Sequence, residues 1–417
     1  MFLTNTSDAS RSPKSTLVHA LCVFIFGAIC LDAPRAQTGD DANVRSSVDD
    51  YLDAIDRVEA MHSAYATELS DLYMGLGRAL IDENNYPEAQ RALHRGMQVE
   101  RVNYGLDSIS QTPYLLLLAD LDAAAGDDKA SQEALEGIYQ ISAKNYGYQD
   151  SRMLTTLDQM LAWQLQKYRD KPPRKAFSHI LAVERLAARM AGVVQSSLPV
   201  SDPRAPSYFA KLAAIQYLIA DHIDRHGAAP KASFAISAGP AVHSQSRGST
   251  SFTYYRRGKS ALLHRVDAVM QQSQDDPLIQ AAAIADLADW YLVFGQTQAA
   301  IGAYRLAFET LIDDDISEDV RNTFFSQPKK IQFQLEDNPT DAGQQSLQVG
   351  IWITATGRPK DIEVIDPPDE LSEQDIEQMR DALRDDRYRP RLNEGVPEAM
   401  AHRVSYRRPE APAAEQG

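Results

Sequence analysis

Leu347-Gln348-Val349-Gly350-Ile351-Trp352-Ile353-Thr354 is apolar at every second position, the period of a half-buried strand. Ala355-Thr356-Gly357-Arg358 supplies a turn, with Gly357 free to take positive φ. The chain returns as Asp361-Ile362-Glu363-Val364-Ile365 and is stopped by Pro367-Pro368. Ser372 is placed to cap a helix, with Asp375 three residues on in the position of a capping-box acid. Ile376, Met379 and Leu383 form one apolar stripe on an otherwise charged helix. Arg387-Tyr388-Arg389-Pro390 ends it, since Pro390 pushes Arg389 out of the α region. A loop through Gly395 and Pro397 leads to a last strand, His402 to Arg407. The order is β-β-α-β, a small α+β unit.

These residues resemble the C-terminal domain of the TonB energy-transducer family. The resemblance runs through both strands, the Thr356-Gly357-Arg358 turn, the Arg387-Tyr388-Arg389-Pro390 helix end and the closing strand. It spans 329–408, roughly a fifth of the chain. Pro359 departs from the pattern, which has a strand residue there, and leaves the start of the second strand open. In that family the closing strand offers an open edge to an extended peptide of an outer-membrane receptor. Carried over by position, the edge here is Ala401, His402, Arg403, Val404, Ser405, Tyr406 and Arg407. Arg403 and Arg407 would face one side, while Val404 and Tyr406 anchor the other. The alternative is that these charges merely cap the edge against aggregation. Tyr388 and Pro390 are structural in either case.

Upstream, from about 46 to 312, the pattern is helical and it repeats. Asn103-Tyr104-Gly105 recurs 42 positions on as Asn145-Tyr146-Gly147. Gly77, Asn84, Ala89, Leu93 and Gly96 have counterparts at the same offset in Ala119, Gly126, Ser131, Leu135 and Ile138. Ala288, Tyr291, Gly295, Ala300, Tyr304 and Ala307 mark a further unit. Small residues where two helices cross, with a turn residue between, resemble tetratricopeptide repeats. The long period resembles the kinesin-light-chain variety. Such hairpins cannot bury their apolar faces alone, so an all-α solenoid is expected. Leu181 to Val194 and Tyr208 to His226 read as amphipathic helices beyond the break at Pro172-Pro173. The stretch 227–253 has no period and reads as a loop, with pairing resuming at Lys259. A hinge is expected at 313–326, an extra strand at 330–335 and a disordered tail at 409–417.

Arg11 and Lys14 precede an apolar run from Leu17 to Leu31, with Ala36 after it as a small residue at a cleavage point. Positive, apolar and small in that order describe an export signal over 1–36. At about 1.5 Å per residue the run reaches roughly 22 Å, short of a hydrocarbon core of about 30 Å. Ser15 and His19 instead resemble the Ser-x-x-x-His pattern in the membrane anchor of TonB proteins, so a short anchor stays open. With 44 % hydrophobic and 24 % charged residues the remainder is globular material. The net charge of −16 excludes the basic footprint of a nucleic-acid or anionic-membrane binder. The two cysteines, Cys22 and Cys30, both lie in the apolar run, so a processed chain has no thiol chemistry.

Motifs that carry chemistry are weak. His222 and His226 stand four apart, a spacing two metal ligands use, but Gly227 ends the helix and a histidine there suits the dipole alone. Gly258-Lys259-Ser260 has the tail of a phosphate loop, yet Thr253 replaces the required glycine. Asp313-Asp314-Asp315 with Glu318 and Asp319 lacks the glycine and alternation of a calcium loop. Trp290-Tyr291 and Tyr254-Tyr255 read as packing. No enzyme, cofactor or metal is expected. The expectation is an exported periplasmic adaptor for envelope proteins or extended peptides. The alternative is an anchored transducer, coupled to an inner-membrane motor complex and acting on outer-membrane receptors in transport.

Overall fold

The computed structural model describes residues 47–227, 246–313, 316–333, 335, 346–368 and 371–407. Its helices pair in sequence order. α1 (Ser47–Met61) leans on α2 (Glu68–Asp82), which pairs with α3 (Tyr86–Tyr104). Then α4 (Thr112–Ala124) pairs with α5 (Asp128–Tyr146), and α6 (Met153–Arg169) with α7 (Pro173–Ser197). Next α8 (Ala205–His226) pairs with α9 (Ser246–Gln272), and α10 (Pro277–Val293) with α11 (Thr297–Asp313). Each hairpin packs on its successor, and one apolar core runs from Ile55 to Trp290.

The repeated positions recur in the hydrogen bonding of the helix ends. The first helix of three hairpins ends in the same Schellman motif, with a left-handed residue at Asn84 (φ 60°), Gly126 (φ 79°) and Gly295 (φ 73°). The residue after each donates five positions back: Asn85 to Leu80, Asp127 to Asp122 and Gln296 to Tyr291, all at 2.8 Å. At the ends of α3 and α5 the repeated asparagine does double duty. Asn103 Nδ2 donates to the carbonyls of Val99 and Tyr65, both at 2.9 Å. Asn145 Nδ2 donates to those of Ile141 at 2.8 Å and Asp107 at 2.7 Å. One side chain thus seals its own helix end and fastens the preceding connection. The small residues mark close crossings: a Cβ on Gly77 would stand 2.6 Å from Leu93 Cδ2.

Several boundaries differ from expectation. α9 begins at Ser246, so the C-terminal part of the expected 227–253 loop is helical, and 228–245 lie outside the described residues. Its early start is stabilised by Tyr254, buried and bonded to Glu184. Within the expected hinge, α12 (Glu318–Phe325) forms because Phe325 and Phe324 bury against Phe308 and its neighbours. Asp314 and Asp315 lie outside the described residues. The extra strand shrinks to β1 (Lys329–Lys330). The described residues 331–333 of its expected continuation are not strand, because Ile331 enters the α10–α12 cluster and Phe333 packs 5.0 Å from Tyr217 and 5.2 Å from Trp290.

The C-terminal sheet is built from β2 (Ser346–Ile353), β3 (Pro359–Ile365) and β7 (Met400–Arg407), all antiparallel in the order β3-β2-β7. α13 (Glu373–Asp385) covers one face, Met379 and Leu383 closing over Val349, Ile351, Ile353 and Ile362. The expected capping box is present, Ser372 Oγ accepting from the Asp375 amide. The β-β-α-β order needs one correction. The expected loop through Gly395 and Pro397 is a hairpin of β5 (Arg391–Asn393) and β6 (Val396–Glu398), preceded by β4 (Tyr388–Arg389) pairing with β1. Its Glu394-Gly395 turn has φ of 49° and 77°, the two left-handed residues a tight hairpin demands. That turn presses on α11, and Leu392 joins the α10–α12 cluster. Sequence pattern missed the hairpin because it carries one buried apolar residue and takes its shape from α11.

Candidate functional site

All seven residues of the expected edge, Ala401 to Arg407, lie on β7. The strand pairs with β2 over eight successive residues without a break, from Met400 opposite Ile353 to Arg407 opposite Ser346. Its other edge meets no strand among the described residues. His402, Val404 and Tyr406 point to the covered face, where Val404 and Tyr406 pack on the core and His402 sits edge-on to Tyr388. Burial holds His402 below the ordinary histidine pKa. Ala401, Arg403 and Ser405 are exposed on the opposite face. The expected division of sides therefore holds for Arg403, Val404 and Tyr406.

The two free edges of this sheet are unequal. β3 starts at Pro359, which lacks an N–H, and ends ahead of Pro367-Pro368. Between them Asp361 (φ 49°) forms a bulge, the register jumping from Gly350 opposite Glu363 to Trp352 opposite Lys360. Proline and bulge are the usual protections of an edge. β7 has neither.

A buried ionic junction that pattern reading missed ties β4 to α10. Arg389 and Asp289 are each 5 % exposed. Arg389 Nε donates to Asp289 Oδ1 at 3.0 Å, and Nη2 to Asp289 Oδ2 at 2.7 Å and Asp286 Oδ1 at 3.1 Å. The Tyr304 hydroxyl donates to Asp289 Oδ1 at 2.6 Å, and Arg265 Nη1 to Asp286 Oδ2 at 2.6 Å. Burial opposes the Arg389 charge, but the carboxylates of Asp289 and Asp286 more than compensate and raise its pKa above that of a free arginine. Burial and the adjacent carboxylate push the Tyr304 hydroxyl well up, so it stays a donor. The available signal was in α10, where Asp286 and Asp289 are the sole charges in an apolar helix.

Gly357 joins the same junction. Its carbonyl accepts from the Tyr388 amide at 2.9 Å, and a Cβ there would stand 2.1 Å from Tyr388 O and 2.8 Å from Leu292 of α10. Arg387 Nη1 donates to the carbonyls of Arg384, Asp385 and Asp386, closing the end of α13. The turn and the helix end are thus in contact with each other, and both Gly357 and Arg389 also touch α10.

His222, Gly258, Trp290 and Tyr254 are packing residues. His222 is buried, its Nδ1 3.1 Å from the Tyr168 hydroxyl and its ring 5.0 Å from that of His226; burial depresses its pKa. Among the described residues no group of three or more metal-ligating side chains converges. Gly258 lies inside α9, where a Cβ would stand 2.1 Å from the Trp290 ring, so the glycine serves a helix crossing and no phosphate loop. Trp290 and Tyr254 are buried. Ser15, His19 and the expected signal segment lie outside the described residues, as do 409–417. No described helix is long and apolar enough to cross a membrane.

No family model matches the chain, and no curated protein matches it. Among solved structures it is similar to nearly identical TPR-like repeats of a Podosopora anserina protein described as a kinesin light chain, at 15 % identity and a TM-score of 0.32. The similarity covers 60 % of this chain and 99 % of that one, and a single-substitution variant of the same repeats aligns with 98 % of its length covered.

Proposed function

We propose that the chain is an exported, non-enzymatic adaptor of the bacterial envelope. A tetratricopeptide-like helical array carries a TonB-like C-terminal unit, and that unit captures an extended peptide by adding it to β7. The inequality of the two sheet edges carries this reading: one is blunted by proline and a bulge, the other is eight residues long and regular. Backbone hydrogen bonds along such an edge supply affinity, and alternate side chains supply selectivity. The helical array offers a second surface for protein partners.

The test is a photo-crosslinker at position 405, exposed on β7, used in the native envelope. A partner captured by this chain and lost with Val404→Pro supports strand addition, since proline interrupts the strand. Equal capture by the variant, with the sheet still folded, overturns it. N-terminal sequencing of the protein from the same envelope decides its location. A mature start near Gln37 in the soluble fraction fits the adaptor. An intact Met1 terminus in the inner-membrane fraction would make the anchored transducer the better reading.

A further inference from the structure

The uncovered face of the sheet is ordered in three rows. Ile365, Gln348 and Ser405 form one; Glu363, Gly350 and Arg403 the next; Lys360, Trp352 and Ala401 the third. The first row is satisfied internally, because Gln348 Nε2 donates to Ser405 Oγ at 3.0 Å. The other two are not. Gly350 puts no side chain between Glu363 and Arg403, Ile365 Cδ1 lying 3.7 Å from where its Cβ would stand, and neither charge has an ion-pair partner among the described residues. Trp352 is 43 % exposed, although it belongs to the central strand. Its neighbour toward the free edge is Ala401, a side chain too short to cover it. A shallow cavity of about 660 Å³ follows these rows, lined by Gly350, Trp352, Glu363, Ala401 and Arg403 among others.

Resting on the strand-addition reading above, we infer that this face reads the side chains of the strand added to β7. The strand it selects carries an acidic residue two positions from an aromatic one. Strands in a sheet lie about 4.8 Å apart, and residues opposite one another on one face have Cβ atoms about 5 Å apart. The residue opposite Arg403 is therefore within reach of the guanidinium, whose planar fork matches a carboxylate. Glu363 is two strands farther off and out of range, so the sign of the preference is set by Arg403. The residue opposite Ala401 meets no bulk, and a ring placed there lies across the alanine toward Trp352, at the separations aromatic pairs favour. Positions 401 and 403 share a face, which fixes the spacing between aromatic and acid at two.

Short synthetic peptides test this on the full chain. The probes are Thr-Val-Asp-Val-Tyr-Val-Thr and its reverse, for the two strand directions, each also with Lys for Asp, with Thr for Tyr, or with alternate backbone nitrogens methylated. Binding is read by calorimetry and by emission of Trp352, the exposed one beside buried Trp163 and Trp290. The expected result is about tenfold tighter binding of an Asp peptide than its Lys counterpart, the loss of one charge-assisted contact. Arg403→Glu should reverse that order while leaving the backbone-methylated peptide inactive. Trp352→Ala should erase the Tyr preference and leave the Asp preference intact. Equal affinity for Asp and Lys peptides, with binding still abolished by backbone methylation and by Val404→Pro, overturns the side-chain inference and leaves strand addition standing. Binding that survives both methylation and Val404→Pro overturns strand addition and the inference together.

Discussion

At the scale of single residues, Arg389 and Gly357 tie the C-terminal unit to α10. A buried ion pair is a weak source of net stability, because desolvation offsets attraction, but removing one partner leaves an uncompensated charge. Arg389→Ala should therefore destabilise the chain by about 3–5 kcal/mol in chemical denaturation. The double change Arg389→Met with Asp289→Leu should cost less than either single change. If the double variant is the worst of the three, the pair is a true energetic anchor. Gly357→Ala should cost at least about 1–3 kcal/mol, since φ is 71° and the added methyl runs into Tyr388 O. Thermal denaturation reads this directly.

At the scale of elements, the repeated Asn clamp and the α9–α10 crossing make separable predictions. Asn145→Ala removes two hydrogen bonds, each worth roughly 1 kcal/mol. Amide exchange should rise in the 106–111 connection and at the end of α5 before it rises elsewhere. Uniform acceleration across the array would instead mean that the clamp acts globally. Gly258→Leu should loosen α9 from α10 through Trp290 and leave the α2–α3 hairpin unchanged. Much at this scale was legible. Ser372, Pro390, the 42-residue asparagine and the alternation from Leu347 to Ile353 each express a local rule, and local rules show in sequence. The two-residue β1, the β5–β6 hairpin and α12 follow no such rule, because their few apolar side chains are ordered by α10 and α11.

For the whole molecule, the buried histidines and Asp128 should make acidity destabilising in two stages, opposed by Asp120, Asp122 and Asp289, whose pKa values burial raises. His179, His222 and His402 all have pKa values lowered, by burial first, so the unfolded chain binds protons the folded one refuses. Their contribution is complete above about pH 6.5 and falls as pH drops below it. Asp128, bonded to Lys167 and Lys171, is held down to about 2, so its contribution disappears between about pH 4 and 2. Denaturation midpoints across pH check this, and His222→Phe should flatten the upper stage even if it lowers the plateau. A midpoint that rises on acidification from pH 7 would contradict the sign.

The sequence by itself determined the hairpin period, the capped helix and the alternating strands, because each follows from dihedral preference, capping or period within a few residues. The meeting of Arg389 with Asp289, the different fates of the two sheet edges and the three rows of the uncovered face were decided only by tertiary structure. They depend on pairing and register between segments up to 100 positions apart. Neither composition nor periodicity carries that information.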